Sequence, residues 1–254
     1  MIEGIARRDR LVVLAGLVVA AALAWLYLID MALDMGGDMA AGSGAMMRMQ
    51  AWSVTHGLLM WAMWAVMMVA MMVPSAAPMI LIFARLDRSQ GSGRPYTPTT
   101  LFALGYVAVW AGFSVAATAM QWGLQSAALL SPMMVSTSTI LGGVLFIAAG
   151  IYQWTPLKYA CLKHCRSPMA FIMGHWRPGR WGALRMGFGH GAFCLGCCGF
   201  VMALLFVGGV MNLAWVAAIT VFVVAEKLAP KGEWVARAGG VAMVAAGIYL
   251  LAAS

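Results

Sequence analysis

The segment GFGHGAFCLGCCG (187–199) concentrates reactive side chains in a chain that is otherwise apolar. In a helix, one histidine and three cysteines of this segment would lie on one face, because their spacing follows the helical repeat. Thiolates and imidazole are ligands that suit copper(I) or zinc. Small cysteines packed in a glycine-rich helix are the alternative interpretation. We interpret the pattern as a metal site formed by His190, Cys194, Cys197 and Cys198.

A second cysteine–histidine cluster, CLKHC, precedes this segment. Cys161 and Cys165 are one helical turn apart, and His164 lies between them. The segment is predicted to face the cytoplasm, where thiols stay reduced, so a structural disulfide is not expected. Clusters of this composition bind metal or take part in redox chemistry. The pattern therefore predicts a second group of metal ligands.

Methionine is unusually frequent, with 23 residues, and the connection after the first apolar stretch repeats the dipeptide Asp-Met. A methionine in a loop that faces water is not stabilised by burial, so packing does not explain the repeated thioethers. Thioethers are soft ligands that suit copper(I), and the alternating carboxylates attract cations. A helical extension with methionine on one side is the alternative. The predicted ligands of this connection are Met31, Met35 and Met39.

The second apolar stretch carries a continuous stripe of histidine and methionine, spaced by three or four residues. Methionine packs adaptably, so a packing stripe is the default interpretation, but this one continues from the methionine-rich connection. Pro74 and Pro78 are predicted to kink the helix and free backbone carbonyls, and Ser75 is expected to satisfy part of them. The methionine stripe consists of His56, Met60, Met63, Met67 and Met71.

Composition assigns the chain to the membrane. Of 254 residues, 63% are hydrophobic and only 9% are charged, whereas soluble domains carry about 25% charged residues. The sequence predicts an all-α, polytopic membrane helical bundle that forms a single integral membrane domain over residues 1–254. Seven apolar stretches have about the length that crosses a bilayer. They are 11–29, 55–82, 100–121, 139–156, 188–211, 213–228 and 235–252.

The basic residues predict the orientation. If the N-terminus is cytoplasmic, every lysine and arginine except Arg48 falls on the cytoplasmic side of these spans, as the positive-inside rule requires. The C-terminus is then outside, and we expect a multi-pass protein of the bacterial inner (plasma) membrane. Because this orientation accounts for the net charge of +8, nucleic acid is excluded as a partner.

Other polar and aromatic residues are predicted to be structural. Tyr106 is expected to pack within the third span, and the uncharged connection 123–138 shows no chemistry. Glu226 beside Lys227 is interpreted as an ion pair at the end of a span, or as a proton or cation partner at membrane depth.

Several of these strings together resemble the bacterial family of predicted metal-binding integral membrane proteins. The matching strings are WAVMMVAMMVPSAAP (64–78), YQWTPLKYACLKHCRSP (152–168), GHGAFCLGCCGFVMALL (189–205) and AEKLAPKG (225–232). They cover most of the chain from the second span to the seventh. The resemblance implies a role with metal, and that the family's cysteine set is Cys161, Cys165, Cys194, Cys197 and Cys198.

The leading hypothesis is a membrane protein that binds copper(I) and transfers or imports it, from outer methionines to cysteine and histidine on the cytoplasmic side. Zinc is the alternative metal. A thiol–disulfide oxidoreductase using the two cysteine clusters is the rival, and it leaves the methionines unexplained. A third hypothesis is an assembly or delivery factor for a copper enzyme. Expected partners are the lipid bilayer, the metal ion, and a copper chaperone or membrane copper enzyme, with homo- or hetero-oligomers also considered.

Overall fold

A computed structural model describes residues 2–40, 52–89, 96–131 and 134–253, and within the first helix the side chains of residues 8–34. These residues form helices and no β-strand, which confirms the predicted all-α bundle. The helices are α1 (Ile2–Ala40), α2 (Val54–Ser89), α3 (Tyr96–Ser126), α4 (Thr139–Tyr152), α5 (Pro156–Arg166), α6 (Pro168–His175), α7 (Gly179–Met202), α8 (Leu205–Gly208), α9 (Leu213–Leu228) and α10 (Gly232–Ala252).

The membrane-length helices of the described residues are fewer than the predicted spans. Together, α4 and α5 meet the same criteria as one further span, bent by 65°. The predicted sixth span coincides with α9, whose 16 residues fall short of the roughly 20 that cross a bilayer. The number of spans therefore stays a prediction. The five segments long and apolar enough to cross a membrane are Arg8–Asp34, Val54–Arg88, Tyr96–Ser126, Gly179–Gly208 and Gly232–Ala252.

Backbone carbonyls in the proline-containing part of α2 accept hydrogen bonds from nearby side chains. Pro74 lacks the N–H that would donate to the Ala70 carbonyl, and Trp25 of α1 donates its indole N–H to that oxygen over 3.2 Å. The Ser75 hydroxyl donates to the Met72 carbonyl at 2.9 Å. Backbone groups at membrane depth need partners within the protein, and α2 finds them in the bundle.

Glycines let α3 and α7 pack backbone against backbone. A Cβ added to Gly187 would collide with the backbone of Phe102, and one added to Gly105 would collide with the Leu184 carbonyl. Small residues commonly allow such close approach between membrane helices. The contact fixes the cysteine-bearing half of α7 beside α3.

Gly187→Ala is expected to push α3 away from α7 and to destabilise the protein by about 1–3 kcal/mol, the usual cost of overpacking. Gly189→Ala is the matched control, because a Cβ there meets the Phe171 ring at an ordinary 3.9 Å. Alanine at that position also favours the helix by about 1 kcal/mol. Thermal unfolding in detergent, followed by circular dichroism, compares the two. Equal melting temperatures would contradict this account of the contact.

The two short helices after α4 begin at matching sequence signals. Thr155 caps α5 by accepting from the Lys158 backbone N–H at 3.3 Å, and Pro156 follows as its first residue. Ser167 and Pro168 open α6 in the same order. Proline suits the first helical turn, where its missing N–H is not needed. These breaks redirect the chain after α4, and α5 packs against α7.

The helix α9 contacts α2, α5, α7 and α10. Asn212 caps it by accepting from the Trp215 backbone N–H at 3.2 Å. The Trp215 indole donates to the Leu204 carbonyl at 2.8 Å, at the break between α7 and α8. The C-terminal turn of α9 carries two buried charged residues, Glu226 and Lys227, which therefore belong to the interior of the bundle.

Candidate metal centre

Thiols of α7 and α5 meet around Cys194. The Cys194 side chain is fully buried and interacts with the thiols of Cys165, Cys197 and Cys198. Cys197 and Cys198 each donate to the Cys194 carbonyl, over 3.1 and 3.0 Å. All five cysteines of the chain are free. The helical spacing of the CLGCC segment thus produces the shared location that the sequence predicts.

The CLKHC segment of α5 lies directly beside these thiols. Cys165 Sγ is 3.9 Å from Cys197 Sγ. Cys161 lies at the same interface, since a Cβ added to Gly196 would come within 2.6 Å of Cys161 Sγ. Tyr152 donates to the Gly196 carbonyl at 2.5 Å and so ties α4 to this turn of α7. The two cysteine clusters are therefore neighbours, a relation that the sequence left open.

The helix α2 adds a thioether to the thiols. Met72 Sδ is 3.8 Å from Cys198 Sγ, and Met72 is fully buried. Tyr106 of α3 donates to the Met72 carbonyl at 3.2 Å, and its hydroxyl oxygen is 3.1 Å from Cys194 Sγ. Tyr106 is thus a neighbour of the thiols, in addition to the packing role that was predicted. We call Cys165, Cys194, Cys197, Cys198 and Met72 the sulfur cluster.

The ammonium group of Lys227 lies beside the central thiol. Lys227 Nζ is 2.9 Å from Cys194 Sγ and 3.0 Å from Ser75 Oγ. The predicted pairing of Glu226 with Lys227 is wrong, because Glu226 binds Lys158 of α5 at 2.7 Å. Consecutive side chains on a helix do not face each other, so the two residues serve different neighbours. A buried ammonium needs polar partners, and a Cys194 thiolate would balance its charge.

His190 lies one turn before Cys194 and packs among aromatic rings. The ring centroids of Phe102 and Tyr106 are 6.2 and 5.5 Å away. His190 Nδ1 is buried and has no hydrogen-bond partner among the described residues. An unpartnered buried nitrogen is costly, and the role of His190 as a metal ligand stays a prediction.

Two further histidines lie beside Phe193, the residue that precedes Cys194. The His164 ring stacks on Phe193 with centroids 4.2 Å apart, and its Nδ1 is 2.8 Å from the Ala160 carbonyl. The His175 ring centroid is 6.2 Å from that of His164, and its Nδ1 is 3.0 Å from the Phe171 carbonyl. A carbonyl bound at Nδ1 leaves Nε2 as the nitrogen available to a metal.

The methionine stripe lies inside the bundle along α2. His56 is half-buried where α2 begins, and its ring meets the Trp52 ring edge-on with centroids 4.9 Å apart. The methionines that follow are buried, which suits both packing and passage of a soft ion. The exposed fractions of Met60, Met63, Met67 and Met71 are 8%, 1%, 1% and 0%.

The first Asp-Met repeats belong to a helix. Helix α1 continues to Ala40, so the alternative of a helical extension describes residues 31–40. Met31 is half-buried against the core. The side chains of Met35 and Met39 lie outside the described part of the structure, and their role as ligands stays a prediction.

The donor set limits the metals that the cluster can bind. Within the described residues, no three His, Cys, Asp or Glu side chains converge closely enough to hold a metal ion. A ligand set therefore needs small side-chain movements or the Met72 thioether. Zinc prefers four tetrahedral ligands, whereas thiolate and thioether sulfur suits copper(I). The sulfur-rich donor set therefore suits copper.

A helical bundle with membrane-length helices and a cluster of soft sulfur atoms in its interior is of the kind expected of a metal-handling membrane protein. The family model described as PpoB2, copper chaperone, matches residues 61–250. This match covers most of the chain, which therefore belongs to the PpoB2 copper chaperone family, and its function is related to copper. No curated protein and no solved structure matches the chain. The family supports copper, and it lends no support to zinc.

Sequence reasoning misses three residues of the site. Lys227 carries a sequence signal, because a lysine within an apolar stretch marks a functional position. Its place beside Glu226 in the sequence predicts a pair with Glu226 instead of a contact with the thiols. Met72 follows the stripe directly but falls outside its three- and four-residue steps. Tyr106 carries no sequence signal, because an aromatic residue in a span is ordinarily a packing residue.

Proposed function

We propose that this protein binds copper(I) at the sulfur cluster and passes the ion to another protein. The observation that carries the proposal is the meeting of thiols from α5 and α7 with a thioether of α2 around Cys194. Each helix contributes sulfur, the ligand type that copper(I) prefers. A packing role alone gives no reason for four thiols and a thioether to share one location.

The proposed route begins at the methionines of the first connection and continues along the methionine stripe. Thioethers bind copper(I) more weakly than thiolates do, so an ion moving from the stripe to the cluster moves towards stronger ligands. With the N-terminus in the cytoplasm, this movement is inward. A membrane potential supports it, since one charge gains about 2.3 kcal/mol per 100 mV.

Lys227 supports the assignment of the cluster. The thiolate is the form of cysteine that binds metals, and the Lys227 ammonium lies 2.9 Å from Cys194 Sγ. The charge of this ammonium balances a thiolate in the apolar interior when no metal cation is bound. Cys194 is therefore our candidate for the first thiolate that an arriving ion meets.

A chaperone delivers its metal to an acceptor. Because the family is described by the words copper chaperone, we propose that the acceptor is a protein that uses copper, either a soluble carrier or a membrane copper enzyme. Co-purification with the full-length protein identifies the acceptor.

The experiment that tests the proposal measures the copper content of the purified full-length protein by mass spectrometry. After a copper(I) chelator has removed weakly bound ions, the variant in which Cys194, Cys197 and Cys198 are all serine is expected to retain less than about a tenth of the copper of the unchanged protein, since it lacks most of the thiols. Circular dichroism checks that both proteins are equally helical. Equal copper content in the two proteins would contradict the proposal.

The rival function, thiol–disulfide exchange, has one observation in its favour. Cys165 Sγ and Cys197 Sγ belong to different helices and are 3.9 Å apart, so a small movement would let them form a disulfide. Alkylation trapping in intact cells separates the two functions. A Cys165–Cys197 pair that cycles between thiol and disulfide supports the oxidoreductase, and a pair that stays reduced supports copper binding.

A further inference from the structure

A buried amide, Gln121, links α3 to two methionine sulfurs far from the sulfur cluster. Gln121 Nε2 is 3.5 Å from Met60 Sδ and 3.5 Å from Met134 Sδ. Trp64 donates its indole N–H to Gln121 Oε1 at 2.8 Å. The indole can only donate, so it orients the amide with oxygen towards Trp64 and N–H groups towards the sulfurs. Gln121 itself is fully buried.

Met134 occupies a backbone conformation that methionine rarely adopts. Its φ is +56°, in the left-handed region where glycine or asparagine is favoured. Its backbone N–H donates to the Ser131 carbonyl at 2.9 Å, and the Ser136 N–H donates to the Phe206 carbonyl at 2.8 Å. These bonds hold the connection between α3 and α4 in place, and Met134 is only 7% exposed. The conformation is shared by Ala128 of the same connection, and it places the Met134 side chain in the interior.

The contacts of Gln121 describe a site for a soft cation. Thioether sulfur is a weak hydrogen-bond acceptor, so two thioethers satisfy the amide poorly in a buried location. Both sulfur atoms are 3.5 Å from the same electropositive amide nitrogen, so a cation bound to both would lie close to the position of that amide group. Rotation of the Gln121 side chain would clear that position.

We infer that Met60 and Met134 form a second, outer copper(I) site, whose central position is taken by the Gln121 amide in this conformation. The inference rests on the proposed function, because this outer site would be the first buried binding site on the proposed copper route. Met60 precedes Met72 by twelve residues of α2, or about 18 Å at the helical rise. The methionines between them on α2 are buried, so sulfur continues from the outer site to the sulfur cluster.

The test measures binding of copper(I), kept reduced with ascorbate, to a full-length variant in which all five cysteines are serine. We expect this variant to keep a weaker site with sulfur ligands in its X-ray absorption spectrum. Adding Met134→Leu or Met60→Leu is expected to weaken that site by at least about tenfold, since even supporting residues of metal sites have effects of that size. Leucine conserves the volume of methionine, so the packing is retained.

Met120→Leu is the matched control, because Met120 lies on α3 beside Gln121 in sequence and is 45% exposed. If Met134→Leu binds copper(I) as Met120→Leu does, the outer site is overturned. In the protein with its cysteines intact, Met134→Leu is expected to lower the number of copper ions bound per chain by one, and an unchanged number also overturns the site. If the intact protein binds copper(I) and the cysteine-free variant binds none, the outer site fails while the proposed function stands.

Discussion

Cys194→Ser is expected to lower the affinity for copper(I) by at least about a hundredfold, the upper end of what loss of a supporting residue costs a metal site. Cys194 is the central thiol: it interacts with the thiols of Cys165, Cys197 and Cys198, with the Tyr106 hydroxyl and with the Lys227 ammonium. A serine hydroxyl is a hard ligand that copper(I) does not favour. Competition against a colorimetric copper(I) chelator measures the change.

A comparison between the two cysteines of α5 tests whether both helices supply ligands. Cys165 Sγ faces Cys197 Sγ at 3.9 Å, whereas Cys161 Sγ packs against the Gly196 backbone. Cys165→Ser should therefore lower the affinity for copper(I) by at least about tenfold, and Cys161→Ser should lower it less. The reverse order would show that α5 moves along α7 when the metal binds, and would contradict the cluster as defined. If Cys194→Ser binds copper(I) with unchanged affinity, the sulfur cluster is not the copper site.

The helices follow closely from the sequence because their signals are local. Apolar runs of bilayer length locate the long helices, and the Thr155-Pro156 and Ser167-Pro168 pairs mark where α5 and α6 begin. The break after Met202, which ends α7, has no comparable signal in its apolar sequence. It is supported by a distant residue, Trp215, which donates to the Leu204 carbonyl. Tertiary contacts of this kind cannot be predicted from spacing along the chain.

In the candidate site, too, some features follow from local sequence and others depend on how the helices pack. The common location of Cys194, Cys197 and Cys198 follows from the helical repeat, which the sequence displays. The approach of Cys165 to Cys197 depends on how α5 folds back, and the contact of Lys227 with Cys194 depends on how α9 packs. The pairing of Glu226 is the clearest case, because its neighbour in sequence is Lys227 and its partner in space is Lys158.

Lys158→Met is expected to destabilise the protein by about 3–5 kcal/mol, the cost of leaving a buried charge without its partner. Lys158 and Glu226 are 1% and 0% exposed, and their charged groups are 2.7 Å apart. The second carboxylate oxygen of Glu226 has no hydrogen-bond partner among the described residues. Arg166 donates to the backbone carbonyl of Glu226 at 2.6 Å, so it does not replace Lys158. Thermal unfolding in detergent measures the loss.

The double variant Lys158→Met with Glu226→Met distinguishes a broken ion pair from lost packing. Replacing both charges of a buried pair with apolar side chains is often neutral or stabilising, so this variant should recover most of the lost stability. Lys163→Met, at an exposed position of α5, should change stability by no more than about 0.5 kcal/mol. Single and double variants of equal stability would contradict the ion-pair explanation. Because Lys158 precedes Cys165 by two turns on the same face of α5, the single variant should also weaken copper(I) binding, and the double variant should restore it.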